Sequence, residues 1–205
     1  MALPALRRRP PALLFTGVAL LACLLALGLN YLWQRPAEPL GWLGEWQGKV
    51  LQPLAEGQLN LGQLRERLPD GELWVQPRLD GLRLLYRGEL LADDLSWRLQ
   101  AELTLSEAQR TSLGQATGLG PRDAEQPLAA ALQEHLGGYP IGALELRPQG
   151  EIGAARLAAS LGEPRLRLQL PAGEAWVYPQ LGLTAHLAAE QLQLLHAVPR
   201  SLLQH

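Results

Sequence analysis

LSWRLQAELTL, residues 95–105, decides the fold class. Leu95, Trp97, Leu99, Ala101, Leu103 and Leu105 fall on one side of an extended chain, and Ser96, Arg98, Gln100, Glu102 and Thr104 on the other. Successive side chains of a strand point to opposite faces. This two-residue period therefore predicts a strand of an antiparallel sheet, with one face buried and one wet.

Upstream, Glu72-Leu73-Trp74-Val75-Gln76 and LRLLYRGEL (82–90) read as two more strands. Turns are expected near Asp80-Gly81 and at Asp93-Asp94, which makes the three strands a meander. LNLGQLRERL (59–68) has the spacing of a short amphipathic helix, stopped by Pro69-Asp70-Gly71. There Pro presets φ and Gly accepts a positive φ. Downstream, Ser106 and Gln109 form an S-x-x-Q capping box. Gly114, Gly118 and Gly120-Pro121 keep that helix short. Asp123 is expected to cap a second helix, AEQPLAAALQEHL (124–136), ended by Gly137-Gly138.

The second half repeats the theme. ALELRP (143–148), EIGAARLAAS (151–160) and RLRLQL (165–170) alternate, with a turn at 161–164. AWVYPQLGLTAHL (175–187) reads as a fourth strand, bent or edged by Pro179. AAEQLQLLHAVPRSLLQ (188–204) reads as a closing amphipathic helix with Leu192, Leu195 and Leu202 inward. LSWRLQAELTLSEAQ and AWVYPQLGLTAHLAAEQ share an order of Trp, spacer, Leu-Thr and a helix start. An internal two-fold repeat explains this order, and so does chance in a Leu/Ala-rich chain.

The other decisive stretch is ALLFTGVALLACLLALGLNYLW, residues 12–33, which carries no charge. Its 22 residues match the roughly 20 that a helix needs to cross ~30 Å of hydrocarbon. Arg7, Arg8 and Arg9 precede it, and Asn30, Tyr31 and Trp33 come at the far end, where amphipathic rings favour headgroups. The positive-inside rule keeps the amino end in the cytoplasm and exports the rest, which in a bacterium means the periplasm. Leu20-Leu21-Ala22-Cys23 resembles the lipobox of bacterial lipoproteins. That resemblance implies the alternative of cleavage before Cys23 and lipid on its sulfur. The apolar run continues past Cys23, whereas the apolar part of a signal ends near its cut.

Composition narrows the function classes. The chain has 205 residues and a net charge of −2, so no basic field points to nucleic acid. The part after residue 33 holds all 20 acids and 15 of the 18 basic residues, giving a mildly acidic exported domain near −5. Cys23 is the single cysteine, which excludes an intramolecular disulfide and a multi-cysteine metal site. His186 and Glu190 have the four-residue spacing of helical metal ligands, but nothing like HExxH accompanies them. His186 therefore reads as a solvated or cap-region histidine and terminal His205 as disordered; His135 and His196 are the other two histidines. Asp93-Asp94 read as a solvated turn and Ser106 as a cap. The glycines at 114–120 lack the lysine and spacing of a phosphate-binding loop. Arg78, Arg83, Arg87 and Arg98 are interleaved with acids and make a mixed soluble face.

The expectation is an α+β protein in four parts. Residues 1–11 form a short cytoplasmic end, 12–33 a transmembrane helix, 34–56 a juxtamembrane connector and 57–205 a periplasmic domain with an antiparallel sheet and a few helices. Trp42 and Trp46, in the connector, fit either the membrane surface or the domain core. No catalytic, cofactor-binding or metal residue is assigned, and no cofactor is expected. The partners expected are the bilayer, through residues 12–33, and other envelope proteins. The function expected is a non-catalytic binding or assembly module of a secretion or envelope-biogenesis complex. A tethered binder of lipid or another apolar ligand is the alternative, and an envelope hydrolase a third.

Overall fold

The computed structural model describes residues 21–24, 37–128 and 134–203. The chain divides into two units, Met1–Ala37 and Glu38–His205. In the first, residues 21–24 are helical and Leu21 and Leu24 are exposed. The rest of the expected crossing at 12–33 lies outside the described residues. Among the described residues, no helix is long and apolar enough to cross a membrane.

The second unit is a mixed domain dominated by one nine-stranded antiparallel sheet. The strands are β1 (Glu72–Arg78), β2 (Gly81–Ala92), β3 (Leu95–Leu103), β4 (Gln126–Pro127), β5 (Ile141–Pro148), β6 (Leu166–Leu170), β7 (Gly173–Tyr178), β8 (Leu183–Ala188) and β9 (Gln191–Ala197). Their order across the sheet is β4-β1-β2-β3-β5-β9-β8-β7-β6. The meander read around residues 95–105 is present as β1, β2 and β3. Trp97, Leu99, Ala101 and Leu103 are buried on one face of β3, as their alternation requires.

The helices are α1 (Gly41–Trp46), α2 (Gln52–Ala55), α3 (Leu61–Arg65), α4 (Glu107–Thr117) and α5 (Ala154–Leu161). A π turn, Gln47–Leu51, joins α1 to α2. Along this run Leu43, Trp46, Val50, Leu51 and Leu54 recur at helical spacing and enter the same core as the sheet residues. Trp42 and Trp46 thus pack on the domain core. The ring of Trp42 meets that of Trp46 at 5.5 Å and that of Trp97 at 4.8 Å, both edge-on. The buried indole N–H groups of Trp42 and Trp97 have no hydrogen-bond partner among the described residues. α3 and α4 begin with reciprocal capping boxes, Asn60–Gln63 and Ser106–Gln109. Such caps satisfy backbone N–H groups that the first turn of a helix leaves free.

Four expected elements are corrected. Residues 191–197, expected within a closing helix, are strand β9, and Leu202 is exposed. Leu192 and Leu195 do share the core face, three residues apart. A bulge produces that spacing: His186 pairs with Leu194 but Leu187 pairs with Leu192, leaving Gln193 as the extra residue. AWVYPQLGLTAHL is not one strand but the hairpin β7–β8, turned by a short 3₁₀ segment at Pro179–Leu181 and by Gly182. EIGAARLAAS contains helix α5, in which Leu157 is buried and Ala154, Ala158 and Leu161 pack beside it. The helix expected from Asp123 gives way to β4 at Gln126–Pro127, paired with Trp74 and Val75. Proline is tolerated on such an edge. Residues 129–133 of that expectation lie outside the described residues. The shared order behind the expected repeat does not survive, because β3 leads to helix α4 whereas β7 leads to strand β8.

Candidate interaction surface at the β6 edge

The two ends of the sheet are finished differently. At one end β4 has two residues, one of them Pro127. The preceding Glu125 is clasped by Arg87 through two hydrogen bonds of 2.7 and 3.0 Å. Arg87, with help from Gln76, holds the Glu125 carboxyl below the usual carboxylate range. A short, proline-bearing strand is one way proteins blunt an edge against further pairing.

At the other end, β6 is a five-residue strand, LRLQL, with every residue exposed. It pairs with β7 on one side, and no described strand lies on the other. Leu166, Leu168 and Leu170 are 50, 43 and 41 % exposed respectively on the face away from the helices. The register continues that face through Ala175 and Val177 of β7, Thr184 and His186 of β8, and Leu194 and His196 of β9. None of these is an acid, lysine or arginine. On the same face at the far end, Glu72 lies opposite Arg87, Arg87 opposite Gln100, and Glu89 opposite Arg98. The sheet's outer face is therefore charged at the β1–β3 end and free of acids, lysine and arginine at the β6–β9 end.

The inner side of β6 is polar and internally paired. The Arg167 guanidinium sits 4.4 Å from the centroid of the Trp176 ring and bonds Glu163 at 2.6 Å. Trp176 donates its indole N–H to Glu174 at 3.0 Å, and Gln169 donates its amide to the same carboxylate at 2.7 Å. These two donors, with Arg167 nearby, hold the Glu174 carboxyl below its usual range. Stacked on Trp176 and bonded to Glu163, Arg167 does not turn outward over the edge. An open cleft of about 530 Å³ separates this side from the start of α5, lined by Ala154, Ala155, Arg167, Trp176 and Leu187.

The residues singled out from sequence fall elsewhere. Asp93 and Asp94 form the β2–β3 turn, with φ of 51° and 58°. Asp93 is structural, because it bonds Arg156 at 3.2 Å and accepts the Gly41 backbone N–H at 3.0 Å. Ser106 caps α4. Gly118, in the glycine-rich stretch, ends α4 in the left-handed conformation. His186 lies on β8 and Glu190 in the β8–β9 turn, so the helical ligand spacing between them does not exist. His196 lies opposite Glu145 and Thr184 on the sheet, and His135 borders an apolar recess of about 220 Å³ with Leu84, Leu113 and Tyr139. Arg83 pairs with Asp80 and Glu102, and Arg98 bonds Gln149. Among the described residues, no group of three or more His, Cys, Asp or Glu side chains is placed to hold a metal ion. His205 lies outside the described residues.

The surface that sequence reading did not single out is β6 itself. Its alternation was legible in LRLQL; its place at the end of the sheet follows from β7, β8 and β9 being strands. Comparison with protein families, curated proteins and solved structures finds no match to this chain.

Proposed function

We propose that this chain is a single-pass inner-membrane protein of the bacterial envelope whose domain after residue 37 is a non-catalytic binding module. The observation that carries the reading is the β6 edge. Among the described residues, a sheet whose other end is blunted leaves a five-residue strand unpaired on one side, beside three exposed leucines. Main-chain hydrogen bonds give such an added strand affinity, and alternate side chains give it specificity. The anchor in this reading is the uncharged run at 12–33 behind Arg7, Arg8 and Arg9, and the positive-inside rule supports a cytoplasmic amino end and a periplasmic domain.

Two measurements test this function. A reporter active only in the periplasm, fused after His205, is expected to be active; activity of a cytosol-only reporter in its place defeats the anchor. Photo-crosslinking from Leu170 in intact cells is expected to give discrete protein adducts that vanish when Leu168 becomes proline. Adducts unchanged by that substitution, or none, defeat the edge as the binding element.

A further inference from the structure

The sequence of β6 is self-complementary. In an antiparallel pair with itself, centred on Leu168, Leu168 meets its own counterpart and Leu166 meets Leu170. Arg167 meets Gln169, so no like charges face one another. Arg167 stays on its own Trp176 and Glu163, so it brings no repulsion to the pairing. Opposed residues on antiparallel strands have Cα atoms about 4.5–5.5 Å apart, and apolar or opposite-charge pairs there are favourable. All three leucines of each copy fall on the same, outer face, where they make one continuous row of six across the pair.

We propose that the occupant of the β6 edge is β6 of a second copy of this chain, paired antiparallel about a two-fold axis at Leu168. The inference rests on the reading of the domain as a binding module and names its partner. An isologous contact of this kind closes on itself as a dimer and leaves no further edge, since the opposite end of each sheet is blunted by β4. Five paired residues form a contact smaller than a standard stable interface of about 1,600 Å². Confinement of both copies to one membrane raises their effective concentration and offsets that small area.

The test uses the full chain in its native membrane, with Cys23 changed to Ser so that only introduced thiols react. In that background Leu168→Cys is expected to form a disulfide-linked dimer under copper phenanthroline, because a two-fold at Leu168 puts the two thiols opposite each other. Two cysteines bridge only when their Cα atoms lie within about 7 Å. Leu166→Cys alone is expected to stay monomeric, since its own counterpart lies four residues along, about 13 Å away. Leu166→Cys with Leu170→Cys restores the dimer. Leu168 is exposed, and unchanged near-ultraviolet circular dichroism of each variant verifies the fold. A monomeric Leu168→Cys, or equal crosslinking from Leu166 and Leu168, overturns self-pairing. If Leu168→Cys instead links to a different envelope protein, self-pairing fails while the binding-module reading stands. A cytosolic reporter result removes the membrane reading without altering the register of the disulfide.

Discussion

Asp93 and Arg156, 63 positions apart in the chain, meet at 3.2 Å. The contact joins the tip of the β2–β3 hairpin to the first turn of α5. The same Asp93 oxygen accepts the backbone N–H of Gly41, where α1 begins without a side-chain cap of its own. Arg156 also donates to the Glu38 carbonyl, and Ser160 accepts the N–H of Leu40. One carboxylate and two residues of α5 thus fix the point at which the chain enters the domain. A mechanical role of this kind explains an acid in this turn.

Asp93→Asn keeps the left-handed turn, which Asn tolerates, and removes the charge. We expect a loss of about 1 kcal/mol. Paired with Arg156→Ala in a double-mutant cycle read by chemical denaturation, the coupling is expected to be at least about 0.5 kcal/mol. Full additivity of the two substitutions would show that the contact is incidental.

The β8–β9 turn is made of Ala189 and Glu190, both at positive φ (49° and 59°). A side chain in that conformation costs roughly 1 kcal/mol per residue, and Asn-Gly is the preferred pair for a two-residue hairpin. Ala189→Asn with Glu190→Gly is therefore expected to raise the denaturation midpoint, with a gain on the order of 1 kcal/mol. The backbone bond from Ala154 N–H to the Glu190 carbonyl is untouched by the change. A lower midpoint would mean that the Glu190 side chain matters more than the turn geometry.

That same turn shows where the sequence was readable and where it was not. Asp93-Asp94 announced a hairpin because Asp is at home in turns. Ala189-Glu190 did the opposite, since both residues favour helices and sit in a run of Gln and Leu. Tertiary packing overrode that propensity, and the bulge at Gln193 gave Leu192 and Leu195 the spacing of a helix face. By contrast, β1 to β3 and the Ser106 capping box were legible because period and turn chemistry agreed there. The β6 surface was only half legible. Its alternation lies in the residues, but its freedom depends on which strand is last in the sheet, and that order is set by contacts far apart in sequence.

Tyr178 donates its hydroxyl to the Gly162 carbonyl at 3.2 Å, and burial, with Glu163 nearby, pushes its pKa up to about 12. Burial also raises Tyr86, whose hydroxyl bonds the Leu68 carbonyl. The folded state thus holds the Tyr178 proton more tightly than the unfolded chain, where tyrosine titrates near 10. Its contribution to stability is complete below about pH 10 and is lost as pH rises toward 12. Ultraviolet titration should show tyrosine ionising late, and Tyr178→Phe should remove part of that late component and flatten the alkaline loss of stability. Ionisation of every tyrosine near pH 10 in the folded protein would contradict the buried geometry.

Gly173 opens β7 opposite Leu170, the last residue of β6, at a φ of 141°. A Cβ there would lie 1.9 Å from the Leu187 carbonyl oxygen on β8, so the site excludes every side chain. Backbone strain of about 1–3 kcal/mol adds to that overlap in Gly173→Ala. The cost should appear locally, because the overlap falls where β7 meets β8, next to the sheet's terminal hairpin. Hydrogen exchange is expected to speed up first in β6 and β7, while β1 to β3 keep their protection. Any contact made through the β6 edge should weaken in step, since a strand that no longer holds its register cannot template another. Uniform loss of protection across all nine strands would show instead that the β6–β7 hairpin unfolds only with the whole domain.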